Sequence, residues 1–130
     1  MQHVTVIAED RTGLIAELTA ILAARGINIA DIHAKLHGHD AVIHLEVDRF
    51  EDTLHALAEE SFHVVSDDAV LLRVADQPGA LAGIAKCLAD ARIDIRSMTV
   101  VQRHDGYSVV AVGCSDNDAA RALLQDVVLR

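Results

Sequence analysis

Two short stretches carry the residues that could do chemistry: Asp10-Arg11-Thr12-Gly13-Leu14 and Asp76-Gln77-Pro78-Gly79-Ala80. Each follows a β-branched apolar run and precedes an amphipathic helical pattern. A glycine there lets a strand turn sharply into a helix. The first N–H groups of that helix have no intrahelical acceptor and lie at the positive end of its dipole. Such a spot suits a carboxylate or phosphate. The aspartate three residues earlier adds a negative group. Donors beside a carboxylate match a zwitterion, with its α-carboxylate on the N–H groups and its ammonium on the aspartate. The same aspartate, or Thr12, could instead simply cap the helix, which contributes roughly 1 kcal/mol. A duplication would copy a cap as faithfully as a site.

The two stretches lie 66 residues apart, and a gapless pairing of residues 4–64 with the second half gives eleven identities. In the first copy His3–Ala8 reads as a strand. Leu14, Leu18, Ile21 and Leu22, widened by Ile15, form the apolar stripe of a helix that ends at Arg25-Gly26. Ile27–Leu36 and Ala41–Val47 are strands turning at His37-Gly-His-Asp40. A second helix uses Leu54, Leu57 and Ala58, and Phe62–Val65 closes the unit. The second copy repeats this order and ends in a strand over Val127–Leu129. Arg92 replaces Gly26, so the bend after its first helix is expected to differ. The fold expected is α+β: two tandem ferredoxin-like βαββαβ units, 1–66 and 67–130, each an antiparallel sheet with helices on one face, packed side by side. The link Ser66-Asp67-Asp68 is too short for free movement.

The segments Asp10-Arg-Thr-Gly13-Leu…Leu18…Gly26-Ile27-Asn28-Ile29 and Asp76-Gln-Pro-Gly79-Ala-Leu…Ile84…Ile93-Asp94-Ile95 resemble the ACT domain family, the first copy its glycine cleavage repressor type. The resemblance implies small regulatory domains that bind amino acids at the junction of two units, where the first turn of one faces strand two of its neighbour. It places Asp10, Arg11, Thr12, Gly13 and Leu14 in one site and Asp76, Gln77, Pro78, Gly79 and Ala80 in the other. Asn28, Ile29, Asp94 and Ile95 are the matching strand-two residues. Serine-sensing members carry asparagine at the turn and the strand start. Aspartate in both turns, with Asn28 against Asp94, moves the expectation away from serine and makes the two sites unequal.

Charge and composition narrow the partners. The net charge is −9, from 11 basic and 20 acidic residues. That leaves no basic face for a phosphate backbone or an anionic membrane. No apolar run approaches the roughly 20 residues of a spanning helix, and a cytoplasmic location is expected. Cys87 and Cys114 read as small core residues rather than a disulfide framework. No nucleophile elbow, phosphate loop or dinucleotide fingerprint is present, so catalysis and cofactors are not expected. Seven of eight histidines lie in the first half. His33, His37 and His44 flank the first hairpin and are the alternative, a metal site, although their spacing matches no standard ligand motif. The expected partners are an amino acid or similar small zwitterion, a second copy of the chain, and a regulated enzyme or transcription factor. The alternative without ligand is an interaction subunit that docks through its sheet.

Overall fold

The computed structural model describes residues 1–60 and 62–129. The chain divides into two compact units, Met1–Asp67 and Asp68–Arg130. In the first, β1 (Gln2–Glu9) leads into α1 (Leu14–Ala24), followed by β2 (Ile29–His37), β3 (Asp40–Val47), α2 (Phe50–Ala58) and β4 (His63–Val65). The sheet is antiparallel throughout, in the order β2-β3-β1-β4. Alternation assigns Val4, Val6 and Ala8 on β1 and Ala41, Ile43, Leu45 and Val47 on β3 to one face, where they pack against Leu14, Leu18 and Leu22 of α1 and Ala56 and Leu57 of α2. Thr53, fully buried on α2, donates its hydroxyl to the Arg49 carbonyl at 2.7 Å and so adds no unsatisfied group to that core.

Two expected core positions fall outside it. Ile15 is 39% exposed, because a stripe at positions 14, 18 and 22 already fills the face that α1 presents to the sheet. On α2 the buried residues are Thr53, Ala56 and Leu57, whereas Ala58 is exposed.

The second unit comprises β5 (Val70–Ala75), α3 (Ala80–Asp90), β6 (Ile95–Arg103), β7 (Tyr107–Cys114) and α4 (Asn117–Leu123). Its sheet has three strands, in the order β5-β7-β6. The fourth strand expected over Val127–Leu129 is reduced to a bridge between Leu72 and Val128. The turn that ends α4 takes the N–H groups of both Val127 and Val128 onto the Leu124 carbonyl. Among the described residues, the Val127 carbonyl accepts from the Arg73 N–H at 2.8 Å and the Leu129 N–H donates to the Leu71 carbonyl at 2.9 Å.

The gapless pairing of the copies also fails, and the register shows where. In the first unit His33 faces His44 and Leu36 faces Ala41. In the second Thr99 faces Ala111, then Val101 is left out of the ladder as a β-bulge, and Arg103 faces Ser108. The bulge inserts one residue, so Arg103 stands where Leu36 stands, not where His37 does. The shift carries into α4, where Leu124 is buried and Leu123 is 44% exposed. The sequence identity of Leu123 with Leu57 is therefore not an equivalence in the fold.

The bend after the first helix, by contrast, is the same in both units. Gly26 has φ 69° and Arg92 has φ 62°. In each unit the next two N–H groups fold back onto the helix: Gly26 to Ala23 and Ile27 to Leu22, Arg92 to Ala89 and Ile93 to Leu88. This is the Schellman closure. Burying Ile93 against the core fixes the geometry, and Arg92 bears a left-handed conformation that costs a non-glycine residue about 1–3 kcal/mol. Part of that is offset by the larger unfolded-state entropy of glycine. Arg92→Gly is expected to stabilise the protein by about 1 kcal/mol, raising the melting temperature of the second unit by a few degrees. An unchanged or lower midpoint in thermal denaturation would contradict this.

Candidate functional site

Each strand-to-helix turn is pinned to the hairpin of its own unit. The Asp10 N–H donates to the His39 carbonyl at 2.8 Å and the Asp76 N–H to the Gly106 carbonyl at 3.1 Å. The chain then reverses through a left-handed glycine, Gly13 at φ 84° and Gly79 at φ 87°. That glycine is itself the helix N-cap, and no side chain caps either helix. The expectation that Asp10 or Thr12 caps α1 is therefore wrong: the residue in the capping position has no side chain to offer, and Asp10 stands three residues before it.

The first-turn donors follow from this geometry. The Leu14 and Ala80 N–H groups bond back to the carbonyls of Arg11 and Gln77. Helical bonding begins at Glu17 and Gly83, which donate to Gly13 and Gly79. Among the described residues, no backbone acceptor takes the N–H groups of Ile15 and Ala16, or of Leu81 and Ala82.

A cavity of about 320 Å³ opens beside the first turn, with Asp10, Arg11, Gly13, Ile15, Ala34 and Leu36 in its wall. One of about 340 Å³ opens beside the second, with Asp76, Gln77, Gly79, Leu81, Arg103 and Ser108. Both have the size of small-ligand sites. Arg11 is paired with Glu17 on α1. Among the described residues no cation pairs with the Asp10 carboxylate. The Asp76 carboxylate lies 3.3 Å from the Arg103 guanidinium. Arg103 and Ser108 were not singled out in the sequence, because the bulge at Val101 brings them to the turn.

The strand-two residues lie elsewhere within each unit. Ile29 is opposite Val47, which is opposite Gln2, at one end of the sheet; Glu9 is opposite Asp40, at the other end. Seven residue steps of β1 put these ends roughly 23 Å apart. The Asn28 N–H is held by the Asp48 carboxylate at 2.9 Å, and the Asp94 N–H by the Ser115 hydroxyl at 3.0 Å. One unit alone does not bring Asn28, Ile29, Asp94 or Ile95 to its own turn. Thr12, Pro78 and Ala80 lie in the turns but outside the cavity walls, and Leu14 is both in the wall and in the core.

The histidines form a different arrangement. His33 and His44 face each other across β2 and β3, their rings 6.3 Å apart and nearly parallel. His44 Nδ1 lies 3.0 Å from the Thr5 hydroxyl, which donates to Asp67 at 3.2 Å. His37 lies four residues further along β2, opposite Asp40 at the hairpin, and among the described residues no three ligating side chains converge on a metal position. Burial and the charge of Lys35 lower the pKa of His37, against a smaller opposing effect of Asp40. Burial, with Asp94 nearby, raises that of the Cys114 thiol.

The family model of the ACT domain matches twice, over residues 3–62 and 69–125. The chain belongs to the ACT domain family. Among solved structures it is similar to a protein of Bacteroides thetaiotaomicron (22% identity, 98% of this chain and 90% of that one, TM-score 0.49). It is also similar to the regulatory subunit of aspartate kinase from Thermus thermophilus (18%, 96% and 90%, 0.43) and the acetolactate synthase small subunit from Thermotoga maritima (14%, 100% and 91%, 0.38). No curated protein matches the chain. No helix among the described residues is long and apolar enough to cross a membrane.

The lowered His37 pKa has a sign that can be checked. The unfolded chain binds this proton more readily than the folded one, so stability rises with pH from the folded value up to about 6.5 and is flat above it. Thermal denaturation between pH 5 and 8 is expected to show a smaller loss of stability on acidification in His37→Gln than in the parent. Equal losses would show that His37 does not contribute.

Proposed function

We propose that this protein is a regulatory, non-catalytic ACT protein that binds an amino acid at its strand-to-helix turns and passes occupancy to an enzyme or transcription partner. The observation that carries this reading is the first turn. Two helix N–H groups without a backbone partner, one aspartate without a cation and a cavity between them fit the two charges of a zwitterion. The helix stands without a side-chain cap, so the aspartate is not explained as a structural device.

The remaining contacts come from a second unit. β2 is an edge strand, with Ile32 and Leu36 exposed on the side of the helices. Antiparallel pairing of this edge with its like in a second copy would bring the start of one β2 to the turn of the other. Asn28 and Ile29 would then complete the site, as the roughly 23 Å separation inside one unit requires. A ligand held from both sides favours the paired state by its differential affinity, which is a signal a partner can sense.

Isothermal calorimetry with the twenty amino acids on the full chain tests this. At least one is expected to bind, and Asp10→Ala is expected to weaken that binding about tenfold or more, the scale of a lost charge-assisted hydrogen bond. The melting temperature without ligand is expected to stay within about a degree, since no cap is lost. Absence of binding at millimolar ligand overturns the reading. A fall in stability without a change in binding would return Asp10 to a structural role.

A further inference from the structure

The two turns share their Asp-x-x-Gly spacing, backbone and cavity size; among the wall positions that differ, the one that exchanges an apolar side chain for a charged one is Leu36 in the first unit and Arg103 in the second, as the register pairs them. We propose that the first turn receives an amino acid with an aliphatic side chain, while in the second Arg103 is a built-in cation that occupies the place of the ligand's ammonium. This rests on the proposed function and assigns the two sites their specificity.

The β-bulge at Val101 is what makes the difference. Strand residues alternate between faces, so an inserted residue reverses the facing of everything beyond it. Met98 and Val100 face the core side, opposite Val112 and Val110. Without the bulge, Gln102 would be the next residue on that side. With Val101 taken out of the ladder and buried, at 2% exposure, Arg103 takes that place, opposite Ser108. From there its guanidinium reaches the Asp76 carboxylate at 3.3 Å. The acidic turn of this fold thus accepts a cation, and the chain supplies one itself in the second unit.

In the first unit β2 continues without a bulge towards the hairpin, and Leu36 stands on the helix side with Ala34. Together with Ile15 they form an apolar wall beside the unpaired Asp10. Leu36 is 57% exposed and Ile15 39%, so both have apolar surface still to cover. An aliphatic side chain would cover it. A polar or charged one would gain nothing there, and a basic one would meet Arg11 in the same wall. In the second cavity a ligand ammonium would have to displace Arg103 and would lie beside its charge. Arg103 is largely exposed, so the pair itself is weak; the obstacle is the added positive charge rather than the strength of the bond.

Calorimetry on the full-length chain with isoleucine, serine and aspartate, using a reciprocal swap of the two wall residues, decides this. Both positions are on the surface, and circular dichroism would verify that the variants fold. The parent is expected to bind one isoleucine per chain, and serine and aspartate at least tenfold more weakly. Arg103→Leu is expected to raise the stoichiometry to two. Leu36→Arg is expected to remove the parent's binding event. Two isoleucines per chain in the parent, or no gain in Arg103→Leu, would overturn the assignment of Arg103. Aspartate binding that is lost in Arg103→Leu would do so as well, by making Arg103 a receptor for an acidic ligand. Serine preferred over isoleucine, with binding lost in Asp10→Asn, would overturn the aliphatic assignment and leave the amino-acid reading standing. No binding of any of the three, nor of any other amino acid, to any variant would remove both.

Discussion

A glycine held in the left-handed region between strand and helix is the constraint on which the candidate site depends. Gly13 and Gly79 each take the N-cap position at φ values that other residues adopt only under strain. Two consequences follow together. The chain turns within a few residues, so the first helix packs directly on the sheet that precedes it. The helix also begins without a side-chain cap, so N–H groups that a serine or aspartate would ordinarily satisfy are left for another acceptor. The space beside them is open: a Cβ added at either glycine would meet no atom within 4 Å. It is the backbone conformation, not crowding, that demands glycine there. The other end of the same helix shows the contrast, because Arg92 adopts a similar left-handed conformation where the surrounding core imposes it.

Duplication gave two such turns, and small changes in the sheet have made them different. The bulge at Val101 places Arg103 in the cavity wall where the first unit has Leu36, without altering the turn. At the opposite edge of the same sheet, the turn after α4 consumes donors that the first unit spends on a full β4. Neither change disturbs the core, which in both units is built from the same side of each strand and the first two turns or more of each helix. Both changes lie at an edge or an end of the sheet, where a residue can be gained or re-aimed at little cost in packing.

Much of this organisation was legible in the residues. Alternation at Ala41, Ile43, Leu45 and Val47, and the spacing of Leu14, Leu18 and Leu22, define the core face because burial is what those periods record. Gly26 marked its helix end for the same reason that Gly13 marks its beginning. Arg92 did not, since the hydrogen bonds that fix the bend belong to the backbone and the buried Ile93, not to the residue at the bend. The bulge was hidden by composition: Val100 and Val101 are identical neighbours, so alternation cannot say which of them leaves the ladder. As a result the pairing of Arg103 with Leu36, and with it the contact to Asp76, lay outside what a gapless comparison of the copies could reveal. The cap was misjudged because Asp10 and Thr12 have the right chemistry but the wrong distance from a helix that starts after Gly13.

The most direct measurement is a crystal structure of the full chain grown with millimolar isoleucine. Density for the amino acid is expected beside Gly13, its carboxylate about 3 Å from the N–H groups of Ile15 and Ala16 and its ammonium on Asp10. A first turn whose donors are instead met by the protein's own side chains, with the cavity closed over them, would contradict it.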